Sequence, residues 1–543
     1  MLLFRSCGWL LAGLLSLPAR AQTAPPVTAP LDVAAVDAVV ARTLKAFDVP
    51  GMAVAVVKDG QVVLAKGYGV RSLATKAPVD ANTLFGIGSN TKAFTTAVLG
   101  LLVDEGKLRW DDKVTKYLPE FQMYDPYVTA EFTVRDLLCH RSGLGQGIGD
   151  LMLFPDSADF TISDAIHNLR YFKPVASFRS RYEYDNCLYL VAGEVVARIA
   201  RQPWTEFVET RLLRPLGMHR SATSFARLAD PANVTDAHNL VDGRVQVIRR
   251  NLGSTADPTG ALFSAGGIYS STTDMSQWVR MLLGAAGAPA PLLQPATQRE
   301  LWTPQTLMPT SPRPTPYNTH FTAYGLGWFL RDVRGYQEVW HTDSFSGMVS
   351  KVTLLPELRL GIVVLTNQVN RAAYTAVTNQ IEDHYLGLNG LDRVQEQMAP
   401  ATALLAAAAN ATVWQQVAVA QKAEPKQPNY AYYVGRYRDA WFGDVTVYQQ
   451  GAQLWLKAAR LPRLVGQVLP YRGNTRVIRW KDRSIPTDEF ATFNLDAQGR
   501  ATSLKLNNLV YVPGTAYDFQ DLDLQRVPET AAVKQKTVLP KAA

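Results

Sequence analysis

The sequence predicts two folded parts, a mixed α/β (α+β) domain followed by a small all-β domain. Three observations predict this. Strand-like runs stand at both ends of residues 31–388 with helical periodicities between them, as expected of one sheet closed by its N- and C-terminal strands. Residues 389–428 turn alanine-rich and then carry Pro425 and Pro428, the texture of a helical connector and a linker. From Tyr430, short alternating runs recur around Gln450-Gly451 and Gln498-Gly499, which reads as an antiparallel sandwich or barrel over 429–527.

In chain order, Leu31 to Phe47 has helical periodicity. Pro50 to Val57 and Gln61 to Tyr68 are apolar runs around Asp59-Gly60, a hairpin signal. A helix follows Ser89, because Ala93, Phe94, Ala97, Val98, Leu101 and Leu102 recur at helical spacing. Thr133 to Leu138 reads as a short helix, with His140 as a structural residue closing its end. Tyr182 to Arg201 and Thr273 to Leu283 read as helices. Tyr324 to Leu330, Tyr336 to Thr342, Ser346 to Leu355 and Leu360 to Asn367 read as strands, and Arg371 to Leu386 closes the domain as a helix.

The chain has 543 residues, 47% hydrophobic and 19% charged, an ordinary globular balance with room for two or three domains. Residues 1–21 have the order of a signal peptide: Arg5, an apolar stretch from Trp9 to Leu17, then Ala19-Arg20-Ala21 before Gln22. The stretch is too short to remain as a membrane span, and no other run approaches one. The expected compartment is secreted or periplasmic. Residues 528–543 have the composition of a disordered tail. Losing Arg5 and Arg20 lowers the formal charge from +8 to +6. The remaining basic residues are dispersed, which reads as a solvated surface in preference to a loose attraction to anionic cell-envelope polymers, and nothing resembles a nucleic-acid module. Cys139 and Cys187 are compatible with a disulfide or with two buried thiols. The seven histidines show no ligand spacing, so neither metal nor cofactor is expected. The oligomeric state is not legible.

The chemistry centres on Ser89-Asn90-Thr91-Lys92, the chain's one S-x-x-K. On a helical first turn, positions i and i+3 share a side. A serine hydroxyl becomes a nucleophile when a base takes its proton, and a lysine does this when its pKa is lowered. The helix N-terminus also offers the Ser89 N–H to an oxyanion. A chain this rich in both residues carries about one S-x-x-K by chance, so the motif gains its weight from later stretches. Tyr184-Asp185-Asn186 supplies a phenol able to shuttle a proton and an amide able to bind a substrate carbonyl. His341-Thr342-Asp343-Ser344, on a predicted strand, supplies an imidazole for the cleft and the Ser344 N–H as a second oxyanion donor.

These stretches resemble the serine hydrolases related to class C β-lactamases and penicillin-binding DD-peptidases, whose order is S-x-x-K, Y-x-N, then K-T-G or H-x-G. Thr133 to Leu144, Pro215 to Met218 and Ser264 to Ile268 are similar to the family's T-x-R-D-L-L-x-H-x-S-G-L, P-L-G-M and A-G-G-[LI]. The resemblance covers residues 35–388 and implies a β-lactamase/transpeptidase-like fold, an antiparallel sheet flanked by helices plus a helical subdomain. It implies Ser89 as nucleophile, Lys92 as its base, Tyr184 as proton shuttle, Asn186 as substrate-positioning residue and His341 as the third-motif basic group. Either Lys92 or Tyr184 fits the role of general base. The segment from Tyr430 to Arg526, with Gly435-Arg436-Tyr437, resembles the lipocalin-like β domain appended to some D-aminopeptidases of the family. It is expected to fold as a separable unit that brings no catalytic group.

One position departs from the pattern. Asp343 stands where the family has glycine. By strand alternation it shares a face with His341, so pairing would raise the imidazole pKa; equally, it narrows the cleft or repels an anionic substrate. The expected function is acyl transfer through an acyl-enzyme on Ser89, acting on a small peptide, amide or ester, cell-wall peptides included. A D-aminopeptidase- or DD-carboxypeptidase-like peptidase is favoured over an esterase or β-lactamase. A non-catalytic binding protein on the same fold is the alternative of another class, and intact Ser89 and Lys92 argue against it. The absence of any G-x-S-x-G disfavours an α/β-hydrolase.

Overall fold

A computed structural model of the chain describes residues 29–528 except 157, 251–259, 285–286, 312–314, 346, 427, 486 and 510–516. The signal-peptide reading and all but the first residue of the predicted tail lie outside the described residues.

Helix α1 (Val33–Ala46) leads into strands β1 (Gly51–Lys58) and β2 (Gln61–Gly69). Asp59 and Gly60 turn between them with φ of 51° and 80°, both in the left-handed region that the tight hairpin needs. Helices α2 (Thr91–Asp104), α3 (Cys187–Ala200) and α4 (Thr272–Leu283) follow. Then come β3 (Thr306–Met308), β4 (Thr322–Tyr324), β5 (Phe329–Val333), β6 (Tyr336–Phe345), β7 (Met348–Leu355), β8 (Leu360–Thr366) and helix α5 (Arg371–Leu386). The sheet has the order β2-β1-β8-β7-β6-β5-β4-β3. The expected closure is present: the first strand pairs with the last, Val54 opposite Val364.

Strand alternation sorts the core into two layers. Ala53, Ala55 and Val57 face Phe94 and Trp278 of α2 and α4, whose rings stack 4.3 Å apart. Met52, Val54 and Val56 face Val36 and Val40 of α1 and Val377 and Ile381 of α5. Helices therefore cover both faces of an antiparallel sheet.

Two helix expectations are corrected. The stretch Thr133 to Leu138 makes only one 3-10 turn, Arg135–Leu137. The Asp136 carboxylate turns back to accept from Thr133 N and Oγ1 (3.0 and 2.6 Å) and also receives Arg141 and Arg179 (2.8 and 2.6 Å), so its bonds leave the local helix. The helix expected from Tyr182 starts at Cys187, because the main chain of 183–185 bonds to His140 and leaves the helical path. A hairpin, 237–241 with 244–248, was not expected from the sequence. Cys139 and Cys187 are both buried free thiols.

Helices α6 (Arg393–Ala409) and α7 (Ala411–Ala423) form the connector, meeting at Asn410, whose φ is 48°. Beyond it, eight strands from Gly435–Asp439 to Leu524–Arg526 close into a barrel. Tyr437, Val447, Leu456, Ile478, Phe493 and Leu504 fill it. The barrel is not isolated from the preceding α/β domain. Trp441 packs edge-on against Phe172 at 5.3 Å, and Arg460 lies 3.8 Å over Phe160 while bonding Asp159 and Asp164 at 2.7 and 3.0 Å. Arg463 pairs with Asp156. These contacts seat the barrel on the 147–172 segment, and the apolar core runs unbroken through the junction.

Candidate active site

Ser89 lies in the 3-10 turn Gly88–Asn90 that opens α2, and Lys92 is on the first turn of that helix. Gly88 is at φ 48°, and a Cβ there would fall 1.5 Å from Asp343 Oδ2. Glycine is thus required twice over, by conformation and by the approach of the β6 carboxylate.

Lys92 is fully buried. Its Nζ donates to Ser89 Oγ at 2.9 Å, Asn186 Oδ1 at 2.7 Å and the Ala265 carbonyl at 2.9 Å. Burial pushes its pKa down to about 8, against the pull of the Asp343, Asp150 and Asp185 carboxylates. Tyr184 donates its phenol to the same Ser89 Oγ at 2.7 Å. Burial raises the Tyr184 pKa well above 10, so this group is a proton-bearing phenol in the resting site. The two shifts run in opposite directions: the amine is brought nearer to its neutral form and the phenol is held further from ionisation, which favours the lysine over the tyrosine as the proton acceptor.

Asn186 stands just ahead of α3, with its Nδ2 donating to Asp150 Oδ1 at 2.9 Å. An acceptor there leaves Oδ1 facing Lys92. Asp150 is half-buried, and desolvation pushes its pKa up to about 7. Its segment also holds the tyrosine, since Gly147 N donates to the Tyr184 carbonyl at 2.8 Å.

His341 lies on β6 and is buried, but it is not the cation expected from the third motif. Its Nδ1 donates to the Thr342 carbonyl at 2.8 Å, and its Nε2 lies 2.9 Å from Tyr324 Oη, a hydroxyl able to donate to it or accept from it. Burial, and then the Lys92 charge, lower its pKa to about 3. The pairing of Asp343 with His341 is therefore corrected. Asp343 lies over Gly88 instead, and the charge it acts on is that of Lys92. Ser344 is placed on the same strand, opposite Val349 of β7.

Sequence reasoning missed four contributors. Asp150 had only the Gly147-Ile148-Gly149 loop as a signal. The Ala265 carbonyl sits inside a motif noted for its glycines; a Cβ at Gly267 would lie 2.5 Å from Phe263 Cβ. Tyr324 carried no motif. His140, taken as a helix end, supports the tyrosine: its carbonyl accepts from Glu183 N at 3.0 Å, its Nδ1 from Asp185 N at 3.3 Å, and its ring lies 4.3 Å from that of Tyr184. In sum, a buried amine and a half-buried phenol converge on one hydroxyl, the arrangement needed to remove its proton and pass it on.

Residues 36–386 match the model of the family described as Beta-lactamase, and residues 420–526 match a domain of unknown function, DUF3471. Among curated proteins, "Unguisins hydrolase ungD" of Aspergillus violaceofuscus is 27% identical over 378 residues, covering 65% of this chain and 64% of that protein. The chain thus spans slightly less than two thirds of that relative's length. Among solved structures, the octameric penicillin-binding protein homologue from Pyrococcus abyssi aligns over 91% of this chain and 100% of its own, with TM-score 0.57 and 20% identity. A class C beta lactamase from Rhodobacter sphaeroides aligns over 65% of this chain and 99% of its own, with TM-score 0.53 and 19% identity. Both show the same fold.

Proposed function

The chain belongs to the beta-lactamase family of serine hydrolases, and from that premise we propose that it is a secreted or periplasmic peptidase cleaving an amide bond through an acyl-enzyme on Ser89. The observation that carries the reading is the convergence of Lys92 Nζ and Tyr184 Oη on Ser89 Oγ, at 2.9 and 2.7 Å. Neutral Lys92 takes the Oγ proton as Oγ attacks the carbonyl carbon. The Ser89 N–H, with that of Ser344 as its partner, receives the oxyanion. Tyr184 gives its proton to the leaving nitrogen as the C–N bond breaks and is reprotonated from Lys92. Water then attacks the ester, its proton returns through the same groups, and Ser89 is restored. Asn186 both orders Lys92 and presents an amide to the substrate.

Asp343 and the neutral His341 favour an aminopeptidase over a carboxypeptidase. The strand that carries the third motif brings a carboxylate to the nucleophile turn and no protonated imidazole, which suits a substrate ammonium and disfavours a C-terminal carboxylate. The Aspergillus relative, named as a hydrolase of unguisins, agrees with hydrolysis in general terms.

A panel of D-amino-acid amides, D-Ala-D-Ala peptides, nitrocefin and short p-nitrophenyl esters tests the proposal. Turnover of the amides with a free amine above the rest is expected. A preference for D-Ala-D-Ala peptides or nitrocefin would contradict the aminopeptidase reading, and no turnover or labelling of any kind would favour a binding protein.

A further inference from the structure

We propose that Asp518, a residue of the barrel, is a positioning residue for acyl transfer: it clamps the segment carrying Asp150 and through it sets Asn186 and Lys92. The inference rests on the reading of Ser89 as nucleophile. Asp518 is 1% exposed, and its two oxygens accept from Gly149 N at 2.7 Å and Leu151 N at 2.8 Å. Those amides flank Asp150. Gly147 and Gly149 sit at φ 74° and 83°, a left-handed conformation that glycine adopts without a Cβ to oppose it, so the turn depends on outside bonds to hold one path. Two backbone N–H groups donating to one side chain hold the turn on both sides of Asp150; burial, and then the neighbouring Asp150 charge, raise the Asp518 pKa well above the usual carboxylate range, and these two bonds act against that rise.

From the clamp, bonded groups lead to the reacting atom. Asp150 Oδ1 accepts from Asn186 Nδ2, Asn186 Oδ1 accepts from Lys92 Nζ, and Lys92 Nζ reaches Ser89 Oγ, at 2.9, 2.7 and 2.9 Å. Gly147 N, in the same turn, fixes the Tyr184 carbonyl. One clamp therefore serves both groups that move the serine proton. Asp518 is itself anchored in the barrel: the next residue, Phe519, stacks on Trp480 at 5.5 Å, and Asp518 follows Tyr517, whose ring lies 6.5 Å from Phe154 of the catalytic domain. The barrel is seated independently by Arg460 on Asp159 and Asp164, so the carboxylate arrives at a fixed height above the turn. In this arrangement the barrel completes the catalytic machinery without touching substrate.

The test uses Asp518→Asn in the full-length chain, whose amide can accept from one of the two N–H groups and repels the other. Four quantities are measured: melting temperature, hydrogen exchange of 145–155 and 182–190, and kinact and KI for a fluorophosphonate probe on Ser89. Faster exchange in both segments is expected, with kinact down at least about tenfold and KI unchanged, as a misplaced catalytic pair requires. In an Asp150→Ala background the same substitution should add no further loss, because both act on one path. Asp518→Glu, which keeps two acceptor oxygens, should recover part of kinact, and it carries the test if the asparagine variant does not fold. A wild-type kinact in Asp518→Asn, or losses that multiply with Asp150→Ala, would overturn the proposal. A wild-type protein that takes no label on Ser89 would instead sink the nucleophile assignment, and the exchange data alone would then decide whether Asp518 holds the turn.

Discussion

The Tyr184 phenol donates to Ser89 Oγ across 2.7 Å from a position where burial keeps it protonated. A phenol in that state is a donor at rest, so in the proposed reaction its part falls on the leaving group. Tyr184→Phe keeps the ring packed against His140 and removes only the hydroxyl. Hydrolysis of amides, whose nitrogen must be protonated to leave, should fall by about 10²- to 10⁴-fold. Reaction with a fluorophosphonate, which expels fluoride, should fall far less. Equal losses with both would place Tyr184 at the deprotonation of serine instead.

Lys92 is expected to set the acid side of the pH profile. Its pKa is lowered to about 8, so the neutral, proton-accepting form grows as pH rises through that value. Acylation, read as kcat/KM for a hydrolysed amide, should increase from pH 6 to pH 9 with a midpoint near 8. Asp343 favours the ammonium form, so Asp343→Asn should move this limb to lower pH. A limb unmoved by the substitution would show that the carboxylate does not act on Lys92.

His341, with a pKa lowered to about 3, is neutral over the whole working range. No alkaline limb should arise from it. His341→Gln retains a donor and an acceptor for Thr342 and Tyr324; it should lower the melting temperature and leave the pH midpoints of kcat/KM in place. Loss of an alkaline limb in this variant would restore the imidazolium as a working charge.

What was legible in the sequence follows from what each residue needs. The grouping of Ser89, Lys92, Tyr184 and Asn186 was legible because proton transfer would demand those side-chain types, and their order along the chain is itself a signal. The closure of the sheet was legible from the apolar strands at both ends of the domain, and Asp59-Gly60 announced its turn through the φ it must adopt. The charge state of His341 was not, because it depends on burial and on the Tyr324 hydroxyl 2.9 Å away, neither of which a motif records. The direction of Asp343 was missed for a similar reason: alternation gave its face, but only the packing of β6 on the Gly88 turn shows which neighbour it meets. Asp150 and Asp518 were invisible because one acts through an amide and the other through backbone N–H groups, and 367 residues separate Leu151 from Asp518. Tyr182 to Asn186 was read as helix from its position, whereas its main chain is committed to His140.

The central claim is that Ser89, activated by Lys92, is the residue that carries the acyl group. Mass spectrometry of the fluorophosphonate-treated protein, with peptide mapping, tests it most directly. One adduct per chain, on the peptide containing Ser89, is expected, absent from Ser89→Ala and formed orders of magnitude more slowly by Lys92→Ala, with both variants folded. Since the two residues act on one step, the double variant should be no worse than the poorer single one. An adduct on any other residue, or substrate turnover surviving at the wild-type rate in Ser89→Ala, would contradict the account.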